Sequence, residues 1–132
     1  MQINLVKSSA DDKEGYQNIP ISSEHINSIP DSACTQMSLD HVVDYITEND
    51  FAAVLKKIRH KGNVEIRGVD APEVFRKVSI GLLEFSNSLP LLTGKVRLTS
   101  MGSVRSVLES MGFVTEIAAL HESFYYIKAQ RP

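Results

Sequence analysis

Three side chains near the middle of the chain are suited to acid–base chemistry. Asp40, His41 and Asp44 lie close together, and a histidine beside a carboxylate can accept or donate a proton near neutral pH. The pattern of apolar residues predicts that they lie at the start of a helix, near the pocket of an open α/β fold. A capping aspartate beside an exposed histidine explains the same residues, and we favour that structural interpretation.

A second polar group lies in the loop after the first predicted strand, at residues 7–14. It includes Lys7, Ser8 and Asp11 and has no glycine before Gly15. A loop rebuilt to hold a cofactor and an ordinary surface loop both fit these residues. We favour the surface loop, because charged loops without glycine are usually only solvated connections.

The other candidates also have structural explanations. Glu65 and Arg67 alternate with apolar residues on one predicted strand and face either a pocket or solvent. Asp70 follows that strand at the end where open α/β sheets bind ligands, but a helix cap accounts for it. The aromatic run at residues 124–126 has the rings to stack on bases, yet it lacks interleaved basic residues, which favours core or interface packing.

Composition limits the classes of function further. The histidines, His25, His41, His60 and His121, have no metal-ligand spacing, so no metal site is expected. Cys34 is the only cysteine, which excludes an intrachain disulfide, favours a buried thiol and fits a reducing compartment.

Charge and hydropathy point to a soluble, cytoplasmic protein. The 132 residues fit one domain, residues 1–132. The net charge of −2 and pI of about 6.1 provide no field that attracts nucleic acid or an anionic membrane. No apolar run approaches the roughly 20 residues of a membrane span, and the N-terminus does not have the pattern of a signal peptide.

Apolar residues at the i, i+3, i+4, i+7 spacing predict three helices, at residues 39–46, 51–58 and 104–111. A fourth helix is predicted from Asp70, its cap, to about Glu84. Its core-facing residues should be Val74, Phe75, Val78 and Leu82.

Short β-rich runs predict strands between and after these helices, at residues 2–6, 16–21, 33–37, 63–69, 113–120 and 124–129. Residues 22–32 are rich in turn formers, and Pro90 and Gly94 interrupt residues 86–100. Strands that alternate with helices and end in a hairpin indicate a three-layer α/β domain with a mixed sheet.

Several short motifs follow one another in a recognisable order. They are Ile-Asn-Leu at 3–5, Glu-Gly-Tyr-Gln-Asn-Ile at 14–19, His-Val-Val-Asp-Tyr-Ile at 41–46, Asp-Phe-Ala-Ala-Val-Leu-Lys at 50–56, Gly-Phe at 112–113 and Tyr-Tyr-Ile at 125–127. In this order they resemble small class I S-adenosylmethionine (SAM) methyltransferases, particularly the short type common in bacteriophages.

The resemblance implies a Rossmann-like methyltransferase fold of reduced size that ends in an antiparallel hairpin, and SAM as cofactor if the protein is active. The residues that it places near the cofactor are Leu5, Lys7, Ser8, Asp11, Asp40 and His41.

The chain departs from the family where the cofactor would bind. The family has a glycine-rich turn after its first strand, whereas residues 6–14 contain no glycine. Pro20 stands where the family has an acid that binds the ribose hydroxyls, and the usual proline-glycine-glycine turn is reduced to His60-Lys61-Gly62. The cofactor site is therefore expected to be degenerate, with no cofactor bound.

These departures favour a non-catalytic interaction or assembly subunit, with protein partners or a homo-oligomer and a place in a phage particle or the host cytoplasm. Two alternatives stay open. One is an active methyltransferase with an unusual cofactor loop, and the other is an accessory subunit that regulates a true methyltransferase.

Overall fold

The computed structural model describes all 132 residues and contains one six-stranded sheet. The strands are β1 (Gln2–Val6), β2 (Gln17–Pro20), β3 (Cys34–Asp40), β4 (Ile58–Val69), β5 (Val114–His121) and β6 (Phe124–Gln130). The helices are α1 (Ser23–Ser28), α2 (Glu48–Lys56), α3 (Ala71–Ser79), α4 (Phe85–Leu92) and α5 (Met101–Ser110), and two 3₁₀ turns occupy Ser9–Asp11 and Val43–Tyr45.

The strand order is β2-β1-β3-β4-β6-β5. The first four strands in this order are parallel, β6 runs antiparallel to β4, and β5 pairs with β6 in an antiparallel hairpin. The predicted α/β class, the mixed sheet and the C-terminal hairpin are therefore confirmed. Pro20 lies on the edge strand β2, where the missing N–H interrupts no central ladder.

One face of the sheet forms the hydrophobic core. Leu5, Leu39, Ile66 and Ile127 stand opposite one another on four neighbouring strands and are fully buried. Side chains from α1, α2 and α5 join them in a single cluster. The alternation of strand side chains places every second residue on the other face.

The opposite face is polar, and a loop covers part of it. Asn4, Ser38, Glu65 and Lys128 form the corresponding row on this side. The loop at residues 7–16 folds over Asn4 and Ser38, which are buried. The only regular structure in this loop is the 3₁₀ turn at Ser9–Asp11.

The helix predicted at residues 39–46 is wrong. Leu39 and Asp40 end β3, and His41 adopts a left-handed backbone with φ of 57° that a helix cannot include. The apolar spacing arose because the end of a strand and the turn at Val43–Tyr45 bury their residues in the same core.

The second predicted helix is confirmed as α2, and the Thr47 side chain accepts a hydrogen bond from the Asp50 N–H at 3.1 Å. Its predicted end is wrong, because Ile58 already begins β4. Gly62 lies buried within β4. A Cβ on Gly62 would lie 2.9 Å from the Arg59 and Cys34 carbonyl oxygens, so close backbone approach requires glycine there.

The helix after Asp70 is confirmed but shorter than predicted. It ends at Ser79, and Phe75 and Leu82, predicted to face the core, are 51% and 69% exposed. Two segments read as irregular contain helices: α1 lies within residues 22–32, and α4 includes Pro90. Pro90 has no N–H to donate to the Ser86 carbonyl, so α4 lacks one i→i−4 hydrogen bond shortly before it ends at Leu92.

Candidate functional site

The carboxyl ends of β1, β3 and β4 meet at one edge of the sheet. The chain leaves β1 toward β2 on one side, whereas β3 pairs with β1 on the other, and such a switch point is where open α/β sheets bind ligands. Two adjoining clefts open at this edge.

The first, the β1–β3 cleft, has a volume of about 340 Å³ and is lined by Asn4, Leu5, Lys7, Ala10, Asp11, Asp12, Lys13, Asp40 and His41. The second, the α4 cleft, has a volume of about 210 Å³. It is lined by Lys7, His41, Val43, Asp44, Tyr45, Arg67, Gly68, Val69, Pro90, Leu91, Lys95, Phe124 and Tyr125.

The structure brings most of the sequence-predicted cofactor residues together. The β1–β3 cleft is lined by Leu5, Lys7, Asp11, Asp40 and His41. Ser8 lines neither cleft. Residues distant in sequence meet here because parallel strands place their following loops at the same edge.

Two asparagines that sequence reasoning missed hold the loop at residues 7–16. Asn4 Nδ2 donates to the Asp11 carbonyl at 3.1 Å and to Asn18 Oδ1 at 2.9 Å. Asn18 Oδ1 also accepts from the Lys13 N–H, and Asn18 Nδ2 donates to the Lys13 carbonyl. The available signal was an amide in the middle of the otherwise apolar Ile3–Val6 run, and the result is a loop with a defined conformation.

Lys13 is a second residue that sequence reasoning missed. Its Nζ donates to Ser38 Oγ at 2.7 Å and lies 4.0 Å from Asp40 Oδ2. The Lys13 ammonium group therefore lies at the wall of the β1–β3 cleft. Lysines in charged loops give no sequence signal for such a contact.

Asp40 and His41 lie at the end of β3 and not at the start of a helix. The His41 N–H donates to the Arg67 carbonyl at 2.8 Å, and His41 Nε2 lies 3.6 Å from Asp40 Oδ1. Their side chains are 39% and 43% exposed. The pair can exchange protons with a ligand, but it lacks the desolvation that distinguishes many catalytic carboxylate–histidine pairs.

Asp44 is largely buried in an ion pair at the wall of the α4 cleft. Its carboxylate accepts from Lys95 Nζ at 2.7 Å and from Thr99 Oγ1 at 2.5 Å. Thr99 Oγ1 lies 3.0 Å from the Tyr125 hydroxyl, and burial raises the pKa of Tyr125 well above its ordinary value. These bonds hold the connection after α4 against the turn that follows β3.

Two cations at this edge are held by aromatic rings. Lys7 Nζ lies 4.0 Å from the centre of the Tyr45 ring, and the Arg67 guanidinium lies 4.6 Å from the centre of the Tyr126 ring. Tyr126 donates its O–H to Glu65 at 3.1 Å. Burial, together with this bond, raises the pKa of Tyr126.

Asp70 and Cys34 have structural roles. Asp70 Oδ2 accepts from the Glu73 N–H and Oδ1 accepts from the Met101 N–H at 2.7 Å, so one carboxylate serves the first turns of both α3 and α5. Cys34 is fully buried in the core, and burial raises the pKa of its thiol. No group of three or more His, Cys, Asp or Glu side chains is arranged to hold a metal ion.

Comparison with known proteins identifies the fold. No family model and no curated protein matches the sequence. A SAM-dependent methyltransferase from Archaeoglobus fulgidus is similar with a TM-score of 0.62 at 11% identity, over 98% of this chain and 85% of that one. A SAM-dependent methyltransferase from Methanosarcina mazei has a TM-score of 0.64 at 9% identity, over 98% and 91%. DhpI, solved as its SAH complex, has a TM-score of 0.63 at 14% identity, over 99% and 76%.

The chain therefore has the Rossmann-like fold of SAM-dependent methyltransferases, in a small version with a mixed six-stranded sheet. At these identities the likeness concerns the fold, and function has to be argued from the site. None of its helices is long and apolar enough to cross a membrane.

Proposed function

We propose that this protein is a non-catalytic methyltransferase-fold subunit that acts through protein–protein contact. The observation that carries the proposal is the concentration of exposed apolar side chains on the segment between β4 and α5. Seven large apolar side chains there are between 44% and 71% exposed. This α3–α4 surface consists of Phe75, Ile80, Leu82, Phe85, Leu89, Val96 and Leu98.

The packing of α4 is the reverse of an ordinary surface helix. A surface helix turns its apolar residues to the core and its polar residues to water. In α4 the one fully buried residue is Ser88, whose hydroxyl donates to the Phe85 carbonyl, while Phe85 and Leu89 face solvent. Exposed apolar residues concentrated in one segment mark a binding surface, so this segment supports contact with a protein partner or with a second copy of the chain.

The residues at the carboxyl ends of the parallel strands support the proposed loss of SAM binding. The charges of the β1–β3 cleft nearly balance, since Lys7 and Lys13 line it together with Asp11, Asp12 and Asp40. The missing feature there is the glycine turn, because residues 6–14 contain no glycine. Pro20 ends β2 without a side-chain acceptor for the ribose hydroxyls. Since hydrogen bonds to a charged group contribute about 1.5–3 kcal/mol each, losing this partner and the glycine turn weakens affinity by about a hundredfold or more.

One observation favours the alternative, an active methyltransferase with an unusual cofactor loop. Asn4, which lines the β1–β3 cleft, has a buried Oδ1 without a hydrogen-bond partner. A ligand N–H or O–H would satisfy that oxygen. An accessory subunit of a true methyltransferase is a third proposal, and it would use the α3–α4 surface. A setting in a phage particle or in the host cytoplasm is proposed from the sequence resemblance alone.

Calorimetric titration with SAM and with SAH separates the first two proposals. We expect no saturable heat at millimolar ligand. Micromolar binding that is weakened in an Asp40→Asn variant would overturn the non-catalytic proposal and establish the β1–β3 cleft as a cofactor site.

Mass photometry and sedimentation velocity test the α3–α4 surface. We expect association with a second copy, or with a partner recovered from the native source, to be lost in a Leu82→Ser/Phe85→Ser variant. Val114→Ser removes an exposed apolar side chain from the edge strand β5 and serves as the matched control. A strictly monomeric protein without a recovered partner would contradict the assembly role.

A further inference from the structure

We propose that the α4 cleft binds a small oxyanion, a carboxylate or a phosphate, between Lys7, His41 and Arg67. This proposal does not depend on whether the protein binds SAM. It rests on the charge balance of the cleft, on how its cations are held and on the shape of its walls.

The charges that line the α4 cleft do not cancel. Lys95 and Asp44 neutralise each other, since their ion pair spans 2.7 Å and both side chains are 6% exposed. Lys7 and Arg67 remain, and neither has a carboxylate within 4.0 Å. The cleft therefore carries an excess of positive charge with no acid assigned to it.

Aromatic rings hold these two cations in place without neutralising them. Lys7 Nζ lies over the Tyr45 ring, and the Arg67 guanidinium lies over the Tyr126 ring. A ring quadrupole attracts and orients a cation but leaves its net charge and most of its N–H donors free. Both cations are thus positioned before a ligand arrives, which lowers the entropic cost of binding.

His41 supplies a third polar group between them. Its left-handed backbone, with φ of 57°, is fixed by the hydrogen bond from its N–H to the Arg67 carbonyl. His41 lines both clefts. Asp40 lines the β1–β3 cleft and not the α4 cleft, where it lies beside His41 Nε2 and Lys13 Nζ, and Glu65, which accepts from the Tyr126 hydroxyl, lines neither cleft.

The remaining walls are apolar and the space is small. Val43, Leu91 and Phe124 line the cleft together with the charged residues. Apolar walls lower the local dielectric and strengthen the attraction between an anion and the two cations. A volume of about 210 Å³ is below the roughly 300–1,000 Å³ of pockets for drug-sized ligands, so the occupant is a small anion or the anionic end of a larger molecule.

The test is an NMR titration of the ¹⁵N-labelled protein with sodium phosphate, with sodium acetate and with sodium chloride at matched ionic strength. We expect saturable shifts of the amides of His41, Tyr45 and Gly68 with phosphate, with acetate or with both, in the millimolar range, and no saturable shift with chloride. The phosphate and acetate arms identify which oxyanion the cleft prefers. Absence of saturation in both arms would overturn the proposal.

Substitutions locate the site. Lys7→Gln and Arg67→Gln each remove a charged donor, so each should weaken the oxyanion affinity about tenfold. Lys56→Gln makes the same charge change at an exposed position outside both clefts and should leave the affinity unchanged. Equal weakening by Lys7→Gln and Lys56→Gln would show that the affinity depends only on the net charge of the protein, and it would refute the site. Lys7 is exposed in a loop, so its variant keeps the test decisive even if Arg67→Gln destabilises the fold.

Discussion

Replacing Asp44 with asparagine tests the buried ion pair that joins the α4–α5 connection to the turn after β3. Asp44 binds Lys95 and Thr99 through its side chain, and its carbonyl accepts from the N–H groups of Val96 and Arg97 at 2.9 and 3.1 Å. Asparagine has nearly the same volume and can still accept the Thr99 hydrogen bond. The substitution therefore removes the charge and replaces the oxygen that accepts from Lys95 with an N–H donor.

The expected loss of stability follows from the burial of the pair. With both side chains 6% exposed, the substitution leaves the Lys95 ammonium in a low dielectric without a counter-ion. Removing one partner of a buried ion pair costs about 3–5 kcal/mol. For a domain of this size that corresponds to a fall in Tm of about 10 °C or more.

Urea denaturation of four proteins measures the effect: the wild type, Asp44→Asn, Lys95→Met and the double variant. We expect each single change to be costly and the double variant to be much less destabilised than the sum of the singles, because it buries no unpaired charge. Glu109→Gln removes the exposed partner of Arg105, 3.4 Å away, and should change stability by less than about 1 kcal/mol. Additive single effects, or a loss below about 1 kcal/mol for Asp44→Asn, would refute the reasoning.

Two further predictions concern packing and pH. Gly68→Ala would place a Cβ 2.5 Å from the hydroxyl oxygen of the buried Tyr125, and it should destabilise the protein by about 1–3 kcal/mol in the same urea assay. Gly102→Ala in α5, where the closest contact of the new Cβ would span 3.9 Å, should be neutral or stabilising. Equal effects of the two substitutions would contradict the contact with Tyr125. The hydrogen bond from Lys57 to Asp31 at 2.8 Å, and then the lysine's charge, lower the pKa of Asp31 in the folded state. A lowered carboxyl pKa stabilises the folded state above the unfolded value near 4 and ceases to do so as pH falls through the folded pKa. Asp31→Asn should therefore lower Tm at pH 7 but not in acid, and a pH-independent difference would refute the assignment.

Local signals in the sequence were sufficient for several elements. The Thr47 cap and the apolar face that follows it predict α2, and the apolar spacing before Gly112 predicts α5. The Asp70 cap and the hairpin of β5 and β6 were also predictable. In each case the determining interactions lie within a few residues along the chain, where capping groups and side-chain periodicity act directly on the backbone.

Contacts between distant segments decided the candidate site. Leu39 belongs to a strand because Leu5 and Ile66 flank it in the sheet, and that pairing moves Asp40 and His41 from a predicted helix start to the edge where the clefts open. The loop at residues 7–16 owes its conformation to Asn4 and Asn18. An amide within the apolar Ile3–Val6 run marks Asn4 as unusual, but no local pattern identifies its hydrogen-bond partners.

The sequence by itself therefore determined the α/β class, the order of most elements and the absence of a glycine turn after β1. Only the tertiary structure decided that the loop at residues 7–16 folds over Asn4 and Ser38, that α4 turns apolar residues to solvent, and that Lys7 and Arg67 line one cleft. The physical reason is that burial and charge balance depend on which distant segments pack together, and a local sequence pattern does not specify that packing.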